Sequence, residues 1–142
     1  MKPLWIVCED GTEYLERFAR FLGGEFRFAL AQDAGALLAV AEGADGLILD
    51  LDFRLTPPHR LVDEQGVAHD VGPEEVRRRL AATQGILLLR LLRARGVSVR
   101  VLLCADLEAE QASYLVQSLG PLEIVPSHEG LARTAERMRP AS

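Results

Sequence analysis

The stretch Gly46-Leu47-Ile48-Leu49-Asp50-Leu51-Asp52 decides the fold. Its apolar residues are consecutive rather than alternating, which suits a strand covered on both faces in the middle of a parallel sheet. The two acids begin where the apolar run stops. They are therefore expected at the strand's carboxyl end, the edge where open α/β sheets bind ligands.

Toward the N-terminus, residues 4–8 form another apolar run, ended by Glu9, Asp10 and Gly11. Thr12 is the expected N-cap of a helix carrying Tyr14, Leu15, Phe18, Phe21 and Leu22 at helical spacing, stopped by Gly23-Gly24. Residues 26–30 alternate as a peripheral strand does, and Asp33 caps a second helix that runs to Gly43. Toward the C-terminus, residues 52–72 hold no sustained period. Pro57-Pro58, the turn signal Asp63-Glu64-Gln65-Gly66 and Gly72-Pro73 punctuate them. Leu61-Val62 and Val67-Ala68 flank that turn as the arms of a small hairpin.

Pro73 suits the first turn of a helix predicted to continue to Arg95-Gly96, with Gly85 as a point of division. Residues 86–92 are apolar except for Arg90, more than one buried face requires. Either this helix is covered on two sides or it offers surface to a partner, with Leu88 and Leu92 in the offered surface. Residues 97–104 predict a strand, Asp106 the start of a helix stopped by Gly120-Pro121, residues 122–125 the last strand, and Leu131, Ala135 and Met138 a terminal helix.

Strands alternating with helices imply a parallel sheet with helices on both faces, joined by right-handed crossovers. At 142 residues the expectation is one α/β domain over residues 1–142, a flavodoxin-like five-stranded sheet in the order 2-1-3-4-5. That order makes the first and third strands neighbours. Glu9, Asp10, Asp50 and Asp52 then share one acidic edge, with Cys104 on the far side of Asp50. The net charge of −5 disfavours nucleic acid as a partner. Fifteen of the sixteen basic residues are Arg, and Lys2 is the single lysine, so no interior site contains one. Cys8 and Cys104, far apart in sequence and each within an apolar run, do not make the pattern of a disulfide framework, and they predict buried thiols in a reducing compartment. No run is long enough for a membrane span or a signal peptide, so no membrane partner is expected and the expected location is cytoplasmic. His59 and His69 lie near Asp63, Glu64 and Asp70 without the short ligand spacing of a zinc site.

In this order the chain resembles the receiver domain of two-component response regulators over nearly its whole length. Cys8-Glu9-Asp10 stands where that family carries its acidic pair, and Gly46-Leu47-Ile48-Leu49-Asp50 where its phosphoacceptor strand ends. The segment Gly85-Ile86-Leu87-Leu88-Leu89-Arg90-Leu91-Leu92 reads like its third helix, and Cys104-Ala105 stands where Thr or Ser, then Ala, is usual. The resemblance implies Asp50 as the phosphoacceptor candidate and magnesium held by Glu9, Asp10 and Asp50. It implies a protein partner: a histidine kinase, a downstream signalling protein, or a second copy of the chain. The helix face that receivers use for dimers would include Tyr114.

The departures point away from phosphotransfer. Ser127 falls where the family has its lysine, Cys104 where it has a hydroxyl, and Ile124 where it has an aromatic switch residue. A thiol is a poor hydrogen-bond donor. The short loop after the acceptor is expanded by an insertion over residues 53–73. An acyl phosphate adds about two negative charges beside the other acids, with fewer fixed donors to receive them. The expectation is a pseudo-receiver that has kept its fold and binds partners. An active receiver phosphorylated on Asp50 is one alternative. A metal-dependent phosphatase is another, because Leu49-Asp50-Leu51-Asp52-Phe53-Arg54-Leu55 is similar to the haloacid-dehalogenase signature. That signature wants Thr or Val where Arg54 stands. Glu9 with Asp50 and Asp52 also looks like the acidic set of the toprim fold, but no glycine directly follows Glu9.

Overall fold

The computed structural model describes residues 1–68 and 73–140. Among the described residues are five strands, β1 (Leu4–Cys8), β2 (Arg27–Ala31), β3 (Gly46–Asp50), β4 (Val101–Cys104) and β5 (Leu122–Val125), and six α-helices. The helices are α1 (Glu13–Leu22), α2 (Ala34–Val40), α3 (Glu74–Ala82), α4 (Gln84–Ala94), α5 (Ala109–Leu119) and α6 (Leu131–Met138). All neighbouring strands are parallel and lie in the order β2-β1-β3-β4-β5. The expected flavodoxin-like fold and strand order are therefore present.

Strand pleating divides the core in two. On one face Ile6, Cys8, Leu47, Leu49, Val101 and Leu103 join Leu37 of α2, the apolar residues of α4 and Leu115 of α5. On the other, Trp5, Val7, Ile48 and Leu102 join Phe18 of α1 and Met138 of α6. Gly46 opens β3 because the Trp5 ring occupies its side-chain space: a Cβ there would lie 2.5 Å from ring carbons.

Several elements differ from the sequence expectation. The single helix predicted over 73–95 is two. α3 ends at Thr83, whose Oγ1 donates to the Arg79 carbonyl (2.7 Å), and α4 begins at once. Gly85 lies in α4, just past the break. Its amide donates to the Leu51 carbonyl (3.0 Å), and a Cβ would run into the Asp50 carbonyl oxygen and lie 2.9 Å from Leu51 Cα. The strand predicted over 97–104 forms only from Val101. Arg93 reaches the Val97, Leu119 and Pro121 carbonyls (2.8, 2.8 and 3.0 Å), so the Val97 carbonyl is taken by a guanidinium. Asp106 does not open a helix, since α5 starts three residues later.

Leu88 and Leu92 must be moved from the partner surface to the core. They are 1% and 0% exposed. The insertion supplies the second cover for this helix: Phe53, Leu61 and Val62 belong to the same buried cluster. Gln84 fastens it, donating to the Val62 carbonyl (2.8 Å) and accepting from the Val62 amide (3.0 Å). The predicted hairpin exists as an antiparallel bridge between Val62 and Ala68. His69, Asp70 and Gly72 lie outside the described residues.

Gly85→Ala should destabilise the protein by about 2 kcal/mol or more, because the atoms it meets are backbone and cannot rotate away. A urea denaturation curve should show a lower midpoint at an unchanged slope. Gly43→Ala, which meets nothing within 4 Å, serves as the near-neutral control.

Candidate functional site

The carboxyl edge of β1 and β3 gathers four acids, and each is held differently. Glu9, 3% exposed, points both oxygens at the start of α1. They accept from the Tyr14 amide (3.1 Å) and the Leu15 amide (2.8 Å). These amides have no partner within a helix's first turn. Glu9 therefore does the capping expected of Thr12, whose side chain makes no cap hydrogen bond. The turn 10–12 is short enough to place an acid at the strand end against the amides of the next helix.

Asp10 reaches the insertion instead: its Oδ2 accepts from the Leu55 amide (2.9 Å). Asp52 accepts from the Arg54 amide (2.9 Å) and forms an ion pair with the Arg54 guanidinium. Its carboxyl is held below the usual range by that side-chain contact. Asp50 has no ion pair among the described residues. Its Oδ1 accepts from the Leu51 amide (2.9 Å). Burial first, then the charges of Asp10, Glu9 and Asp52, outweigh that bond and push its pKa up to about 6.

Asp50 lies between two clefts. One, about 280 Å³, is lined by Glu9, Asp10, Asp52, Arg54 and Leu55. The other, about 260 Å³, lies toward β4 and β5 and is lined by Tyr14, Arg17, Cys104, Asp106, Ser127 and Glu129 among others. Cys104 pairs in register with Asp50. Its thiol is pushed up to about 12, by burial and then by the Asp50 charge, so it is protonated at neutral pH. Ser127 donates through Oγ to Asp106 Oδ2 (2.6 Å) and through its amide to Asp106 Oδ1 (2.9 Å). The position expected to carry a cation is thus latched to another acid. Ile124 is partly buried against the core. Lys2 donates to the Gly23 carbonyl (3.1 Å), before β1 and far from this edge. Tyr114, on α5, is 59% exposed.

Glu9, Asp10 and Asp50 do not assemble as the magnesium site expected of them. Among the described residues no three His, Cys, Asp or Glu side chains come together to hold a metal ion. The cause is visible in the hydrogen bonds: both Glu9 oxygens face α1, and one Asp10 oxygen faces the insertion. Sequence reasoning missed the Glu9 cap, the Asp106–Ser127 latch and the Gln84–Val62 clasp. Only Gln84 left a signal, a polar residue directly before an unbroken apolar run.

An acid whose folded pKa stands above its unfolded value binds its proton more tightly when folded. Asp50 therefore favours the folded state at low pH, and that contribution is lost as pH rises from about 4 to about 6. Asp50→Asn should remove this slope and be more stable than the parent at pH 7, which denaturation at a series of pH values will show. Glu9→Ala should cost about 1–2 kcal/mol, the scale of a lost N-cap. It should also speed hydrogen exchange at the Tyr14 and Leu15 amides.

No family model matches the sequence, and no curated protein matches it. Solved structures do match. The signal receiver domain of a putative LuxO repressor protein from Vibrio parahaemolyticus is 13% identical at a TM-score of 0.63, covering 96% of this chain and 87% of that one. The receiver domain of Francisella response regulator 1452 is 14% identical at a TM-score of 0.65, covering 96% and 93%. A Rhodopirellula baltica protein described as an adenylate cyclase matches at 12% identity and a TM-score of 0.60, covering 97% and 85%. No described helix is long and apolar enough to cross a membrane. With its strand order and these likenesses together, the chain has the CheY-like fold of response-regulator receiver domains.

Proposed function

We propose that the chain is a receiver-like signalling domain of the two-component type in which phosphotransfer is lost and contact with another protein carries the signal. The observation that carries this reading is the isolation of Asp50. No ion pair reaches it among the described residues, and burial, with the charges of three nearby acids, raises its pKa to about 6. A phosphoryl group there would add about two negative charges. The groups that would receive them are a protonated thiol at Cys104 and a serine held by Asp106. Transition-state charge is stabilised by donors already aimed at it, and neither residue serves in that way.

The same geometry speaks against a metal-dependent phosphatase. Asp52, the second acid of that motif, is bound to Arg54, and Glu9 is a helix cap. The chemistry named for the Rhodopirellula protein belongs to that protein. The partner is a histidine kinase, a downstream signalling protein or a second copy of the chain. Tyr114 on α5 is the residue of the expected contact surface that remains exposed.

Incubation with acetyl phosphate and magnesium should leave the intact mass unchanged. A stoichiometric gain of one phosphoryl group, absent from Asp50→Asn, would overturn the proposal and establish an active receiver. Beryllofluoride with magnesium should likewise give no saturable shifts at the residue 50 amide.

A further inference from the structure

A third cavity, not lined by Asp50, lies between the start of the insertion and α3. It is about 490 Å³, within the range of small-molecule sites. Its apolar lining includes Leu61 and Ala81, 3% and 8% exposed, with Pro58 and Ala82 beside them. Five charged groups also line it. Arg54 pairs with Asp52 and Arg78 with Glu74 (3.1 Å), which among the described residues leaves Arg77 without an ion pair. A guanidinium is built to bind a planar oxyanion through two parallel bonds.

We propose that this cavity binds a small monocarboxylate with an apolar body, its carboxylate held by Arg77 and its body seated on Leu61, Ala81 and Ala82. The charge count selects the valence. One cation is left over, so one negative charge is matched. A dianion such as phosphate would bring its second charge against Asp52 and Glu74, which line the same space. The small side chains of Ala81 and Ala82 leave room for the body. The proposal does not depend on whether Asp50 accepts a phosphoryl group, because Asp50 is absent from this lining.

Titrating the ¹⁵N-labelled full chain with benzoate tests it, with benzamide and inorganic phosphate run in parallel. Benzoate should give saturable amide shifts at residues 56–61 and 77–82, while benzamide and phosphate bind at least about tenfold more weakly. Arg77→Gln should weaken benzoate by a similar factor. Ala81→Leu, which fills the cavity and leaves the guanidinium, should weaken it too. The proposal fails if benzoate gives no saturable shift up to about 50 mM. It also fails if phosphate matches benzoate at the same amides, or if Arg77→Gln leaves the affinity unchanged. Should either variant not fold, the contrast among the three probes on the parent chain decides.

Discussion

Four carboxyl groups gathered at one edge of a sheet repel one another, and the way this chain disperses that charge shapes everything above the edge. Glu9 turns to the amides that open α1, where the helix dipole favours an acid. Asp10 takes an amide from the insertion, and Asp52 takes a guanidinium. Asp50 accepts only the Leu51 amide, and burial, followed by the charges of Asp10, Glu9 and Asp52, raises its pKa. Two of these solutions use residues 54 and 55, so the insertion is part of the electrostatics of the edge.

The insertion is also part of the core. Phe53, 1% exposed, is buried just after the acids, and its amide donates to the Ala81 carbonyl (2.8 Å). Leu61 and Val62 then pack into the cluster that holds α4, and Gln84 clasps the Val62 backbone. This cover lets α4 be apolar on more than one side without offering Leu88 or Leu92 to a partner. It also explains the break before α4. The Gly85 backbone sits against the Asp50 and Leu51 backbone, a distance only glycine permits, and α3 leaves at Thr83 to run beside the insertion.

Much of the fold was legible because its signals are local. Consecutive apolar residues in 46–49 and 101–103 mark buried strands, and their alternation with helical periods gives the sheet order. The Asp33 cap is observed, with Oδ1 accepting from the Ala36 amide (2.9 Å). The 62–68 bridge was readable from its turn residues. What was not legible depends on partners distant in sequence. Nothing near Val97 announces that Arg93 takes its carbonyl and shortens β4. Nothing near Asp106 announces Ser127, twenty-one residues on. Glu9, Asp10, Asp50 and Asp52 line one cleft, but which way each carboxyl turns depends on the nearest amide or guanidinium, and side-chain direction leaves no period in a sequence.

A lysine placed at Ser127 would meet Asp106 first, because that acid already holds both the amide and the hydroxyl there. A hydroxyl placed at Cys104 would restore one donor beside Asp50 but would leave the charges of Asp10, Glu9 and Asp52 in place. Freeing Asp10 to hold a cation would release the Leu55 amide and loosen the insertion that covers α4. The changes at Ser127 and Asp10 therefore conflict with bonds the fold already uses. The edge is organised around retaining the insertion.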